Sequence, residues 1–143
     1  MKRLLCFALL VFVLGVATAN AGPAGYSKVF TNVTTADVNK AAMAINFTHS
    51  IMKKKGVEAT LFFNVYGVAL IDKTKPSPIY PTGQSIAEML QAFMDDGGVV
   101  IGCPMCMKNV GGMSNGDLLA GVSASPGMGL EAATTADTLV LSY

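Results

Sequence analysis

With 143 residues, a formal net charge of +1 and 13% charged residues, the chain is long enough for one domain with a real core. It has no basic patch beyond Lys53-Lys54-Lys55 and no aromatic residues interleaved with basic ones, which argues against a nucleic-acid partner. Much of its 52% hydrophobic content sits at the N-terminus.

Lys2 and Arg3 precede an apolar run from Leu4 to about Val16, and small residues follow, Ala17-Thr18-Ala19-Asn20-Ala21. This is the layout of a secretory signal, with cleavage expected after Ala19 or Ala21. A transmembrane anchor needs about 20 apolar residues, more than this run supplies. Residues 1–21 are therefore read as a signal peptide and residues 22–143 as a single exported domain, periplasmic or secreted. Cys6 leaves with the signal. Loss of Lys2 and Arg3 leaves eight basic residues against nine acidic ones, a mature charge of about −1.

Tyr26 to Val33 reads as a first strand. Thr34 and Asp37 have capping-box spacing and open a helix from about Ala36 to Lys55, with Val38, Ala41, Ala42, Ile45 and Met52 on one stripe. The three lysines suit the negative end of the helix dipole, and Gly56 supplies the stop. Val57 to Asn64 is a second strand. A helix joined so closely to two strands argues for a right-handed βαβ crossover.

Tyr66 to Asp72 is apolar and interrupted by glycine, so its periodicity fits helix and strand alike. Lys73 to Gly83 holds Pro76, Pro78 and Pro81 and must be a loop. Ser85 and Glu88 form another capping box, and Ile86, Met89, Leu90 and Phe93 predict a helix ending near Gly97. Val99 to Gly102 then reads as a central buried strand running into Cys103-Pro104-Met105-Cys106. Asn115-Gly116-Asp117 marks a turn, Gly121 to Ala124 a short strand, Pro126 to Ala136 a weak helical crossover, and Thr138 to Tyr143 a last strand. The expected fold class is α/β, a three-layer sandwich with a mostly parallel five-stranded sheet.

The chemistry concentrates at the cysteine pair. Pro104 is favoured at the first position of a helix, which places Cys103 beside its unpaired N–H groups, a setting that stabilises a thiolate. Cys103 also follows a strand's carboxyl end, where open α/β sheets gather ligands. A disulfide between Cys103 and Cys106 closes a very small loop and adds little stability by chain entropy, so its use is chemical. By itself a C-x-x-C fits a redox pair, half of a zinc site, or two buried structural thiols. A complete zinc site wants four ligands, and the mature chain offers two cysteines and one histidine. Met105, Met107 and Met113 cluster around the cysteines and would suit Cu(I), although methionines commonly fill cores. His49 lies at the edge of an apolar stripe and reads as a packed residue. The glycines at 111–112 and 127–129 lack the strand–helix setting of a phosphate loop. No cofactor is expected.

The run from Gly97-Gly98 through Cys103-Pro104-Met105-Cys106-Met107-Lys108 to Gly111, followed by Asp117-Leu118-Leu119-Ala120-Gly121-Val122, resembles the DsrE/DsrF-like family. That family includes the TusD- and DsrE-type sulfur-relay proteins. The resemblance covers nearly the whole mature chain, including Phe30-Thr31-Asn32. It implies a persulfide carried on Cys103, with Cys106 as the second cysteine of C-x-x-C members, and a homo-oligomer, trimer or hexamer. Val110 stands where the family often has arginine, and the best-described carriers are cytoplasmic.

The sequence thus leads to a thiol-based sulfur carrier, of sulfurtransferase type, acting through Cys103 and Cys106. Its partners would be sulfur donor and acceptor proteins or small sulfane-sulfur compounds. The alternatives are a thiol–disulfide redox protein or sensor, a soft-metal Cu(I) module, and a small-ligand module with inert thiols.

Overall fold

A computed structural model describes residues 25–143, so the expected signal peptide lies outside the described residues. Four strands, β1 (Lys28–Val33), β2 (Glu58–Phe63), β3 (Val99–Gly102) and β4 (Thr138–Ser142), form one wholly parallel sheet in the order β3-β2-β1-β4. Strand alternation gives the sheet two unlike faces. Val29 and Val33 of β1 and Ala59, Leu61 and Phe63 of β2 are buried on one face and join the core. Thr31 shares that face and is satisfied by a 2.6 Å hydrogen bond to Thr48 of the covering helix. Phe30 and Phe62 point the other way, with ring centroids 5.7 Å apart.

Helices α1 (Val38–Lys55) and α2 (Ile86–Asp95) cover the first face. They are the crossovers from β1 to β2 and from β2 to β3, which step across the sheet in one direction. Right-handed connections put both on the same side. The return from β3 to β4 runs back across the sheet, so the short helix α4 (Met128–Thr134) lies on the opposite face, with Gly129 against Phe62. A cysteine-bearing turn, α3 (Pro104–Cys106), follows β3 and passes into one wide turn over Met107–Gly111.

The sheet has four strands where five were expected. Between Gly121 and Ala124 only Ser123 pairs, in an isolated parallel bridge to Ile101, through Gly102 N–H to Ser123 O (2.8 Å) and Ser123 N–H to Val100 O (3.1 Å). The chain turns at Gly121, whose φ is +83°, and Pro126 has no N–H to extend a ladder. A second correction follows: β3 is an edge strand of the sheet, not its centre. The first helix is also capped differently. Asp37 is the N-cap and accepts the Lys40 N–H at 2.9 Å, while the Thr34 hydroxyl donates to Tyr143 O at 2.7 Å and pins the chain's end to β1. The Ser85–Glu88 capping box of α2 is present in both its halves. The ambiguous segment after β2 is a 3-10 helix, Val65–Ile71.

Candidate functional site: the Cys103–Cys106 turn and its cleft

The backbone delivers Cys103 without a break from β3, since its N–H still bonds to Phe63 O of β2 at 2.9 Å. Pro104 then begins α3 with Cys103 as N-cap, and the Met107 N–H returns to Cys103 O at 2.8 Å. Cys103 Sγ accepts the Cys106 N–H at 3.5 Å, the bond a capping side chain makes. Both thiols are free and partly buried. Gly102 is needed here, because a Cβ on it would lie 2.9 Å from both Ile71 Cδ1 and Met107 Sδ.

The two sulfurs have unlike surroundings. Cys106 packs against the core. Burial first, and then a hydrogen bond and charge repulsion from Cys103, push the Cys106 thiol above its ordinary range; the Val65 N–H, aimed at its sulfur, opposes them. Cys106 thus holds its proton more firmly than an ordinary cysteine, and its thiol and its N–H both turn to Cys103 Sγ. Val65 reaches this position at a cost. Its φ is +47°, a left-handed conformation that a β-branched residue rarely takes. Two residues on, Gly67 lies so close to β1 that a Cβ would stand 2.3 Å from Val33 O.

Cys103 opens onto a cleft of about 340 Å³. Its walls are Phe62 from β2, Pro104 and Met105 from α3, Ser125-Pro126-Gly127 from the crossover, and Gly129 and Leu130 from α4. Apart from the thiol, no lining side chain is ionisable. A Cβ on Gly129 would lie 2.6 Å from Phe62 Cε2, so glycine lets the helix settle directly on that ring. Met105 and Leu130 flank the cleft, each 71% exposed.

The other residues singled out from sequence are placed elsewhere. Met107 and Met113 are buried in the core, away from the exposed Met105. His49 Nε2 bonds to Asp96 Oδ2 at 2.7 Å, an oxygen it shares with Lys53, and its ring meets Phe93 edge-on. Lys53 and His49, in that order, hold the Asp96 carboxyl below its usual range. Sequence reasoning missed Phe62, Val65 and Leu130. Gly127 and Gly129, whose sequence setting does not fit a phosphate loop, instead line the cleft wall.

In a doubly wound sheet the crevice of choice lies where the strand order reverses, here between the carboxyl ends of β1 and β4. Thr34 and Tyr143 tie that place together through two hydrogen bonds, 2.9 and 2.7 Å, to one carbonyl. The cysteines use the carboxyl end of the opposite edge instead.

No family model matches the sequence, and no curated protein matches it. Among solved structures, the fold is similar to a protein of unknown function, MTH1491 from Methanobacterium thermoautotrophicum, with a TM-score of 0.66 at 16% identity over 82% of this chain and 99% of that one. It is likewise similar to the ychN protein from E. coli, with a TM-score of 0.63 at 20% identity over 82% of this chain and 99% of that one. At these identities the likeness concerns the fold.

Proposed function

We propose that this protein is a thiol-based sulfur carrier that holds a persulfide on Cys103. The observation that carries this reading is the unequal pair: Cys103 Sγ faces an open cleft and accepts the Cys106 N–H, while Cys106 packs partly buried against the core with its thiol pushed above the ordinary range. The resemblance of the Gly97–Val122 stretch to the DsrE/DsrF-like family supports the same assignment.

In the loading step the Cys103 thiolate attacks the outer sulfur of a donor persulfide. One Sγ–S bond forms, the donor S–S bond breaks, and the donor leaves as a thiolate. An acceptor thiolate can then take the outer sulfur and restore Cys103. Alternatively Cys106 loses its proton and attacks Cys103 Sγ, which expels sulfide and leaves a Cys103–Cys106 disulfide. In this reading the chain acts after export, with donor and acceptor proteins or small sulfane-sulfur compounds of that compartment, and as a homo-oligomer.

Treatment with inorganic polysulfide is expected to add about 32 Da to Cys103, one sulfur atom. The adduct should vanish in Cys103→Ser and persist longer in Cys106→Ser. Absence of any sulfur adduct on Cys103 overturns the proposal. The contact between the two sulfurs also favours a second reading, a thiol–disulfide exchanger. That reading requires a mixed disulfide between Cys103 and a partner, trapped by Cys106→Ser, on protein that takes up no sulfur.

A further inference from the structure

Resting on the sulfur-carrier reading, the composition of the cleft points to its substrate class. We propose that Cys103 takes sulfur from an uncharged polysulfane, a ring or chain of S–S bonds bearing no ionised group, in preference to an anionic donor such as thiosulfate.

The cleft offers an anion no charged partner. Its only polar side chain besides the thiol is Ser125, and its remaining side chains are apolar. An anion entering there loses water and gains no opposite charge. The nearest cation along the chain, Lys108, is exposed and absent from the lining. The nearest charge along α4, Glu131, has the repelling sign and lines the neighbouring groove. A neutral sulfur chain finds the Phe62 ring and the Met105 thioether, soft surfaces suited to polarisable sulfur. About 340 Å³ falls within the range of ordinary small-molecule sites. Met105 and Leu130 are left in water around the opening, as befits a site for an apolar guest.

The chemistry balances without an outside oxidant or reductant. The Cys103 thiolate attacks the central sulfur of a dialkyl trisulfide, an Sγ–S bond forms, one S–S bond of the donor breaks, and an alkylthiolate leaves. Cys103 then bears an alkyl trisulfide. With a sulfur ring the electron pair stays on the far end of the opened chain.

The test compares the loading rate of Cys103 with that of free cysteine at the same pH, using dimethyl trisulfide, thiosulfate and inorganic polysulfide, followed by intact-protein mass. The expected acceleration over free cysteine is about tenfold greater for the trisulfide than for thiosulfate, the scale on which charge in a cleft alters encounter. Leu130→Lys, and separately Met105→Lys, should shift that ratio about tenfold toward thiosulfate. Both positions are exposed, so the fold tolerates the change. A ratio that favours thiosulfate in the wild type, or one that neither lysine moves, overturns the substrate class. If none of the three donors loads Cys103, the sulfur-carrier reading falls with it; loading by any of them with an unfavourable ratio leaves that reading standing and removes only this inference.

Discussion

Cys106 and Val65 are coupled by a single backbone N–H, and each tests the other. Burial raises the Cys106 thiol, Cys103 adds to that rise, and Val65 opposes it. Because the folded value lies above the unfolded one, this thiol stabilises the fold at neutral pH and ceases to do so as pH climbs through the folded value. In Cys103→Ser protein, where burial persists, alkylation of Cys106 should rise with a midpoint above the ordinary thiol value of about 8.5. A midpoint at or below that value contradicts the burial described here. Val65 carries left-handed strain worth about 1–2 kcal/mol for an ordinary residue, and asparagine tolerates that conformation better. Val65→Asn should therefore raise stability by up to about 1 kcal/mol in denaturant unfolding, since the side chain it replaces is 40% exposed. A loss of stability would show that the valine side chain contributes packing that outweighs its strain.

At the scale of elements, short polar devices hold the segment packed against the cysteine turn. Asp72 ends the 3-10 segment Val65–Ile71 with a carboxylate that is only 3% exposed. Burial alone would raise it, but the Thr74 hydroxyl (2.6 Å), Lys75 (2.9 Å) and the Thr74 N–H (2.9 Å) together hold it below the usual carboxylate range. A depressed value means the stabilisation is complete above the unfolded value of about 3.9 and is lost as pH falls through the folded one. Asp72→Asn should cost about 1–3 kcal/mol at neutral pH, and the gap between variant and wild type should narrow in acid. An unchanged gap between pH 7 and the acid limit would assign the cost to packing and not to charge.

These same elements show what sequence could reveal. Ser85 and Glu88 announce α2 because a capping box is a local device, complete within four residues. Thr34 and Asp37 show the identical spacing, yet Thr34 is taken by Tyr143 O, 109 positions away, and Asp37 becomes the cap. Cys103 and Cys106 were legible because proline, cysteine spacing and the end of a strand all lie together in the chain. Phe62, Leu130 and Val65 were not, since their part in the site depends on α4 crossing the sheet and on a turn angle that valine does not advertise. The expected fifth strand failed for a comparable reason: alternation was present, but Gly121 and Pro126 left room for one bridge.

At the scale of the molecule, the first and last strands of the described residues are neighbours in the sheet. β1 lies between β2 and β4, with its register to β4 running from Lys28–Thr138 to Asn32–Ser142. The contacts of greatest sequence separation therefore close the sheet last in synthesis, and such pairing slows folding. β4 is also short, and Val140 on it is 53% exposed, so it contributes less through its own burial than through completing β1. Its loss would leave one whole edge of β1 without backbone partners, along with Thr34 and the N–H groups of Ser27 and Lys28 that bond to Asp137 O. Truncation after Ala136 should abolish cooperative unfolding, whereas Val140→Thr, which keeps every backbone bond, should change stability by less than about 1 kcal/mol. Circular dichroism during thermal unfolding checks both. A cooperative transition in the truncated chain would mean that β3-β2-β1 with α1 and α2 folds as a unit. The cysteine turn, which depends on β2 and β3, would then survive the loss of the last strand.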